Sequence, residues 1–183
     1  MAEKRLLLDS KLLKITISRL CEHLIENHPD FANTVLLGMQ PRGIYLAERI
    51  KSKISKALNQ DIPLGYLDTT FHRDDFRRRD QPLRPNQTKV PFVIEGQNVI
   101  LIDDVLFTGR TVRAGLDAML DFGRPSNVEL LVLIDRRFSR ELPVQPNYIG
   151  REVDVVKNET VKVEWSDQNI DNKVTLFSSA SDE

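Results

Sequence analysis

The sequence predicts an α/β protein built on a mostly parallel sheet with helices on both faces, and two features predict it. Short apolar runs recur as TVLLGM (34–39), NVILI (98–102) and ELLVLID (129–135). Strands buried on both faces of a parallel sheet read as continuous apolar runs, because helices cover each side. The stretches between these runs carry apolar residues at three- and four-residue spacing, the period of an amphipathic helix. Alternating the two patterns gives strand–helix–strand units with right-handed crossovers.

Along the chain, Leu13, Ile17, Leu20, Cys21 and Leu24 place an amphipathic helix over roughly Ser10 to Asn27. Cys21 falls on the apolar stripe with no cationic neighbour to activate it, so it reads as a buried, inert thiol. The strand at 34–39 leads into Gln40, Pro41, Arg42 and Gly43, then into a helix striped by Ala47, Ile50, Ile54 and Leu58. Arg42 and Gly43 stand at the start of that helix, where free backbone donors and a guanidinium can bridge phosphate oxygens. Residues 63–71 read as extended. They lead into the most polar part of the chain, 72–89, where Arg73, Arg77, Arg78, Arg79, Arg84 and Lys89 accompany Pro82 and Pro85. A long uncovered loop of this kind in a small domain reads as a lid or a disordered segment. After the strand at 98–102 a helix carries Val112, Leu116, Met119 and Leu120 and is ended by Gly123 and Pro125. The strand at 129–135 follows. Residues 160–165 alternate as an edge strand that can pair with 173–177, and 178–183 should fray.

The chemistry concentrates in Asn98 to Arg113, NVILIDDVLFTGRTVR. The apolar run stops at Asp103 and Asp104, which are expected to stand where the strand leaves the sheet, the edge at which open α/β sheets bind ligands. Val105, Leu106 and Phe107 follow. Thr108, Gly109, Arg110 and Thr111 then supply hydroxyls, a permissive backbone and consecutive amides at a helix start, where a phosphate is favoured. The order suggests a diol held by the acids and a phosphate held by the loop.

Four apolar residues, two acids, two apolar residues, a variable position and Thr-Gly-x-Thr resemble the phosphoribosyl diphosphate (PRPP) motif of type I phosphoribosyltransferases. The resemblance implies that family's fold, with a flexible hood over PRPP. Asp103 and Asp104 would hold the ribose hydroxyls and Val105 to Thr111 the sugar and its 5-phosphate. Gln40, Pro41, Arg42 and Gly43 would contact the pyrophosphate, and Asp103, Asp104 and Arg42 would be the catalytic set. Hood arginines Arg73, Arg77 and Arg78 would meet the departing pyrophosphate. Mg²⁺ would arrive bound to PRPP. The stretch RRFSRELPVQPNYIG (136–150), with Gly123–Ser126 and Arg42–Ala47, narrows the resemblance to pyrimidine operon attenuator proteins that are also uracil phosphoribosyltransferases. In that family the loop after the 129–135 strand receives uracil, so Ile134, Asp135, Arg136 and Arg137 would form the base pocket and UMP would be the product. The resemblance also implies binding to a pyrimidine mRNA leader and a homodimer or higher homo-oligomer. Lys11, Lys14, Arg19, Arg140 and Arg151 are candidate RNA cations, although Pro41, Phe138, Ser139 and Gln145 depart from the family pattern. Phe107 occupies the place where hypoxanthine-guanine enzymes carry an aspartate that meets the purine. An apolar ring cannot exchange that proton, which favours uracil.

The remaining bounds are compositional. A chain of 183 residues suits one domain, 1–183, and a net charge of −1 gives no global attraction to nucleic acid. No apolar run approaches the roughly 20 residues of a membrane span. The charged start MAEKRLLLDSKLL is unlike a secretory signal, and one cysteine cannot form an internal disulfide, so a cytoplasmic enzyme is expected.

Overall fold

The computed structural model describes residues 3–72, 87–155, 159–166 and 171–178. The elements are β1 (Glu3–Leu8), α1 (Ser10–Asn27), β2 (Thr34–Met39), α2 (Gly43–Leu58), β3 (Leu64–Leu67), β4 (Asn98–Leu106), α3 (Arg110–Met119), β5 (Asn127–Arg137), β6 (Tyr148–Asp154), β7 (Glu159–Glu164) and β8 (Lys173–Ser178), with short 3₁₀ turns at Thr70–His72 and Leu120–Phe122. Five strands form a parallel sheet in the order β3-β2-β4-β5-β6, and β1-β8-β7 form a separate antiparallel sheet of three.

Alternate strand residues feed two apolar layers. Leu36, Ile100, Ile102, Leu131 and Leu133 face α1 and α2, whose Leu13, Ile17, Leu20, Leu24, Leu46, Ile50 and Ile54 close that core. Val35, Leu37, Met39, Val99, Leu101, Leu130 and Val132 face the other way, toward Val112, Ala118 and Met119 of α3. The helices therefore lie on both faces, as the uninterrupted apolar runs predict. Asp9 caps α1 by accepting from the Leu12 amide at 2.7 Å. Cys21 is buried, and burial pushes its thiol up to about 12, which keeps it protonated and inert.

The path β2–α2–β3 runs one way along the sheet and β4–α3–β5 the other. With right-handed crossovers the connections must lie on opposite faces, and the chain reverses direction between β2 and β4. A ligand crevice opens at that switch point, beyond the carboxyl ends of the two strands.

Several boundaries differ from expectation. β4 does not stop at the acids: Asp103 pairs with Val132 and the ladder continues to Leu106 opposite Asp135. Leu120 is 59 % exposed, because α3 gives way to a 3₁₀ turn one residue before it. β1 and β6 were not expected. β1 is short and charged at its start, and β6 lies in a segment whose polar residues obscure its alternation. Ser178 is no frayed end, since it pairs with both Glu3 and Glu159. Lys89, assigned to the hood, is tied back by reciprocal backbone hydrogen bonds to Tyr66 at 2.8 Å. Arg73, Arg77 and Arg78 lie outside the described residues.

Candidate active site

Two loops leave neighbouring strands at the switch point. The first follows β2, where Gln40 is anchored by its amide to the Leu67 carbonyl (2.9 Å) and by its side-chain amide to the Gln87 carbonyl (2.8 Å). The Gln40–Pro41 peptide is cis. Arg42 is exposed at the start of α2. Gly43 lies so close to β4 that a Cβ on it would stand 2.4 Å from the Ile102 carbonyl oxygen and 3.3 Å from Asp103 Oδ1. Only glycine permits that approach, and it brings the Arg42 loop against the acid pair.

The second loop follows β4. Asp103 and Asp104 are 8 % and 5 % exposed, and Asp103 Oδ1 accepts the Asp104 amide at 2.9 Å. Burial raises the Asp104 pKa above the usual carboxylate range, and the charge of Arg42 acts against the rise. Asp104 Oδ2 is buried and has no hydrogen-bond partner among the described residues. A buried carboxylate oxygen left bare is costly unless a ligand completes it.

Beyond the acids, Gly109 adopts φ +90°, in the left-handed region that favours glycine, and turns the chain into α3. The N-cap, Gly109, has no side chain with which to cap the first amides of this helix. The Arg110 amide donates to Thr108 Oγ1 at 3.3 Å. Asp103, Val105, Leu106, Phe107, Thr108, Gly109, Arg110, Thr111 and Glu141 line a cavity of about 270 Å³ here. Its amides, hydroxyls and helix dipole suit a phosphate.

The residues expected at the base divide. Arg136 is buried, and its guanidinium carbon lies 3.9 Å from the centre of the Phe107 ring. Its Nη2 donates to the Glu159 carbonyl (2.9 Å) and its Nε has no partner among the described residues, while burial lowers its pKa. Asp135 is buried and ion-paired with Arg140. Ile134 has its side chain in the core layer below α1 and α2, so only its backbone can face a base. Arg137 turns outward to Asp154 (2.6 Å) and Glu152 (3.6 Å). Arg42 lines a separate, larger cleft of about 800 Å³ between α1 and α2, with Lys14, Arg49, Lys53 and Lys56.

Arg140 and Glu141 were missed as part of this site. Arg140 donates to the Phe107 carbonyl as well as to Asp135, and Glu141 pairs with Arg110 at 2.6 Å. No periodicity marks such residues, because they meet the loop only after the chain has left β5.

An acid pair, a loop that opens a helix and a second loop at a sheet switch point offer the chemistry that could hold a sugar phosphate. The family model for the phosphoribosyl transferase domain matches residues 6–168. The chain is 41 % identical over 174 residues to the bifunctional protein PyrR of Actinobacillus pleuropneumoniae, covering 95 % of this chain and 97 % of that one. It is 38 % identical over 180 residues to the bifunctional protein PyrR of Bacillus subtilis, covering 97 % and 98 %. The chain belongs to the phosphoribosyltransferase family, in the branch of the bifunctional PyrR proteins. Among solved structures, the hypoxanthine phosphoribosyltransferase of Trypanosoma cruzi superposes with a TM-score of 0.69 at 14 % identity, over 96 % of this chain and 97 % of that one. At that identity the likeness shows the fold alone. Among the described residues, no helix is long and apolar enough to cross a membrane.

Proposed function

We propose that the protein transfers the phosphoribosyl group of PRPP to uracil, giving UMP and pyrophosphate. The observation that carries this reading is the buried acid pair, with the bare Asp104 Oδ2, set beside a helix start that lines the 270 Å³ cavity. The carboxylates accept the ribose hydroxyls, and the Thr108–Thr111 loop holds the 5-phosphate. Uracil N1 forms the bond to C1 of the ribose as the C1–oxygen bond breaks. Pyrophosphate leaves with that electron pair, and the N1 proton passes to solvent or to the leaving group. Arg42 supplies positive charge where negative charge develops, so the enzyme acts by positioning and electrostatics.

Magnesium fits this site as a partner of the substrate. Two adjacent carboxylates, one with a bare oxygen, are too few for an all-protein cage and suit an ion that keeps most of its ligands from PRPP and water. Asp103 and Asp104 are the residues that would hold it, and when bound it would neutralise the diphosphate.

Uracil is favoured over purines by Phe107, whose ring is already covered by Arg136 and offers no proton acceptor. Pyrophosphate release from PRPP with a panel of bases tests the reading. Uracil should be consumed, and efficient turnover of guanine would overturn the assignment.

A second reading, regulatory binding to a pyrimidine mRNA leader, draws support from the basic lining of the 800 Å³ cleft, where Glu48 is the one acid among Lys14, Arg42, Arg49, Lys53 and Lys56. Three of the other candidate cations hold carbonyl or carboxylate partners within the chain. Arg19 donates to the Ile149 and Gly150 carbonyls, Arg151 to the Leu7 carbonyl, and Arg140 to Phe107 and Asp135. RNA affinity is therefore expected to be modest. Binding of a leader hairpin measured over a salt series tests this, and tight binding with a steep slope that is lost on Arg19→Gln would defeat it.

A further inference from the structure

The ladder between β4 and β5 ends where Leu106 lies opposite Asp135. The phosphate loop begins at that point, β5 runs on beside β6 to Arg137 before the base loop begins, and the reaction depends on the relative position of the two loops. A ribose carbon anchored through one loop and a nitrogen anchored through the other must come to roughly 3–3.5 Å of each other. The first carbonyl beyond the ladder is that of Phe107.

We infer that Arg140 is a positioning residue that locks the phosphate loop to the base loop. The inference rests on the phosphoribosyl transfer proposed above. The guanidinium of Arg140, in the loop after β5, donates from Nη1 to the Phe107 carbonyl and from Nη2 to the Asp135 carboxylate, so one rigid fork ties the base loop to the phosphate loop and to the end of β5. Asp135 is buried, and its charge requires the partner. The residues after Arg140 continue the same support. The amides of Glu141 and Leu142 both donate to the Thr108 carbonyl, at 3.0 and 3.2 Å. The Glu141 carboxylate holds Arg110 Nε at 2.6 Å. A Cβ on Gly109 would stand 3.3 Å from Val144 and 3.4 Å from Leu142. Phe107, Thr108, Gly109 and Arg110 are thus each braced from one short segment, and Arg140 ties that brace to the end of β5.

A residue that merely neutralises Asp135 and one that sets loop geometry respond differently to lysine. Lysine keeps the positive charge but lacks the planar fork that reaches two acceptors. Wild type, Arg140→Lys and Arg140→Gln should be compared for thermal melting, for binding of magnesium PRPP by calorimetry and for kcat with uracil. Arg140→Lys should melt close to wild type and bind PRPP within about threefold of it. Its kcat should fall on the order of 100-fold, the scale of a loop displaced by about 1 Å. A wild-type kcat in Arg140→Lys overturns the inference, as does a loss of PRPP affinity in proportion to the loss of kcat. If Arg140→Gln fails to fold, the double variant Asp135→Asn/Arg140→Gln removes the buried charge together with its partner. That variant should fold and remain slow, and a folded double variant at wild-type kcat also overturns the inference. Wild type that binds PRPP but releases no pyrophosphate with any base defeats the transfer reading, and the inference falls with it.

Discussion

The guanidinium of Arg136 covers the ring of Phe107 at 3.9 Å, joining the residue after the acid pair's strand to the end of β5. A cation held on an aromatic face while shielded from water contributes about 0.5–2 kcal/mol. Phe107→Ala should therefore lower Tm by a few degrees, since about 1 kcal/mol moves a chain of this size by roughly 2–4 °C. It should weaken uracil use more than PRPP binding. Unchanged uracil kinetics would show that the stacked pair does not border the base.

Asp104→Asn should trade stability against activity. Its folded pKa is raised, so between the ordinary carboxylate pKa and the folded value the native state binds more protons than the unfolded chain. Stability from this group is present at low pH and lost as pH rises through the folded pKa. An amide at 104 removes that penalty, so Tm at neutral pH should rise while kcat falls about 100-fold through loss of the diol grip. A thermal scan alongside pyrophosphate release checks both signs. Asp103→Asn should be milder, since it keeps an oxygen that can accept the Asp104 amide.

The pH profile of Arg42→Gln isolates the charge on the pyrophosphate loop. Burial raises the Asp104 pKa and Arg42 opposes the rise, so removing Arg42 should move the acidic limb of kcat/KM for PRPP toward neutral pH. The amplitude will also drop if Arg42 meets the pyrophosphate. The position of the limb is the discriminating measurement, and a limb that stays put or moves to lower pH would remove Arg42 from the acid's environment.

Away from the site, Tyr148 is 2 % exposed and donates to Glu129 Oε2 at 2.6 Å, and His28 Nε2 lies 3.0 Å from the same oxygen. Burial raises the Glu129 pKa, but the hydrogen bonds from Tyr148 and His28 win and its pKa is lowered overall. Glu129 therefore contributes stability above the unfolded carboxylate pKa that is lost as pH falls through the lowered folded value. Tyr148→Phe should cost about 1–3 kcal/mol by leaving Glu129 short of a donor. It should also flatten the acid side of the stability profile. Urea melts at neutral pH and on through the ordinary carboxylate pKa to more acidic pH read both effects.

What the sequence determined by itself is whatever repeats locally or depends on residue type. The apolar runs at 34–39 and 129–135 and the stripe from Leu13 to Leu24 became buried strands and α1, because periodicity follows from which face must be hidden. Asp103, Asp104 and Thr108 to Thr111 stood out through the order of acids, hydroxyls and a glycine turn after a buried strand, and the structure sets Asp103 and Thr108 to Thr111 around one cavity. Tertiary structure alone decided that β4 runs on through both acids, which buries them and raises the Asp104 pKa. It also decided that Ile134 serves the core, that Arg137 faces solvent and that Arg19, Arg140 and Arg151 donate to carbonyls of this chain. A cation's partner is set by which carbonyls the fold leaves uncovered nearby. Those carbonyls belong to residues more than 100 positions away for Arg19 and Arg151, and no local pattern encodes that distance.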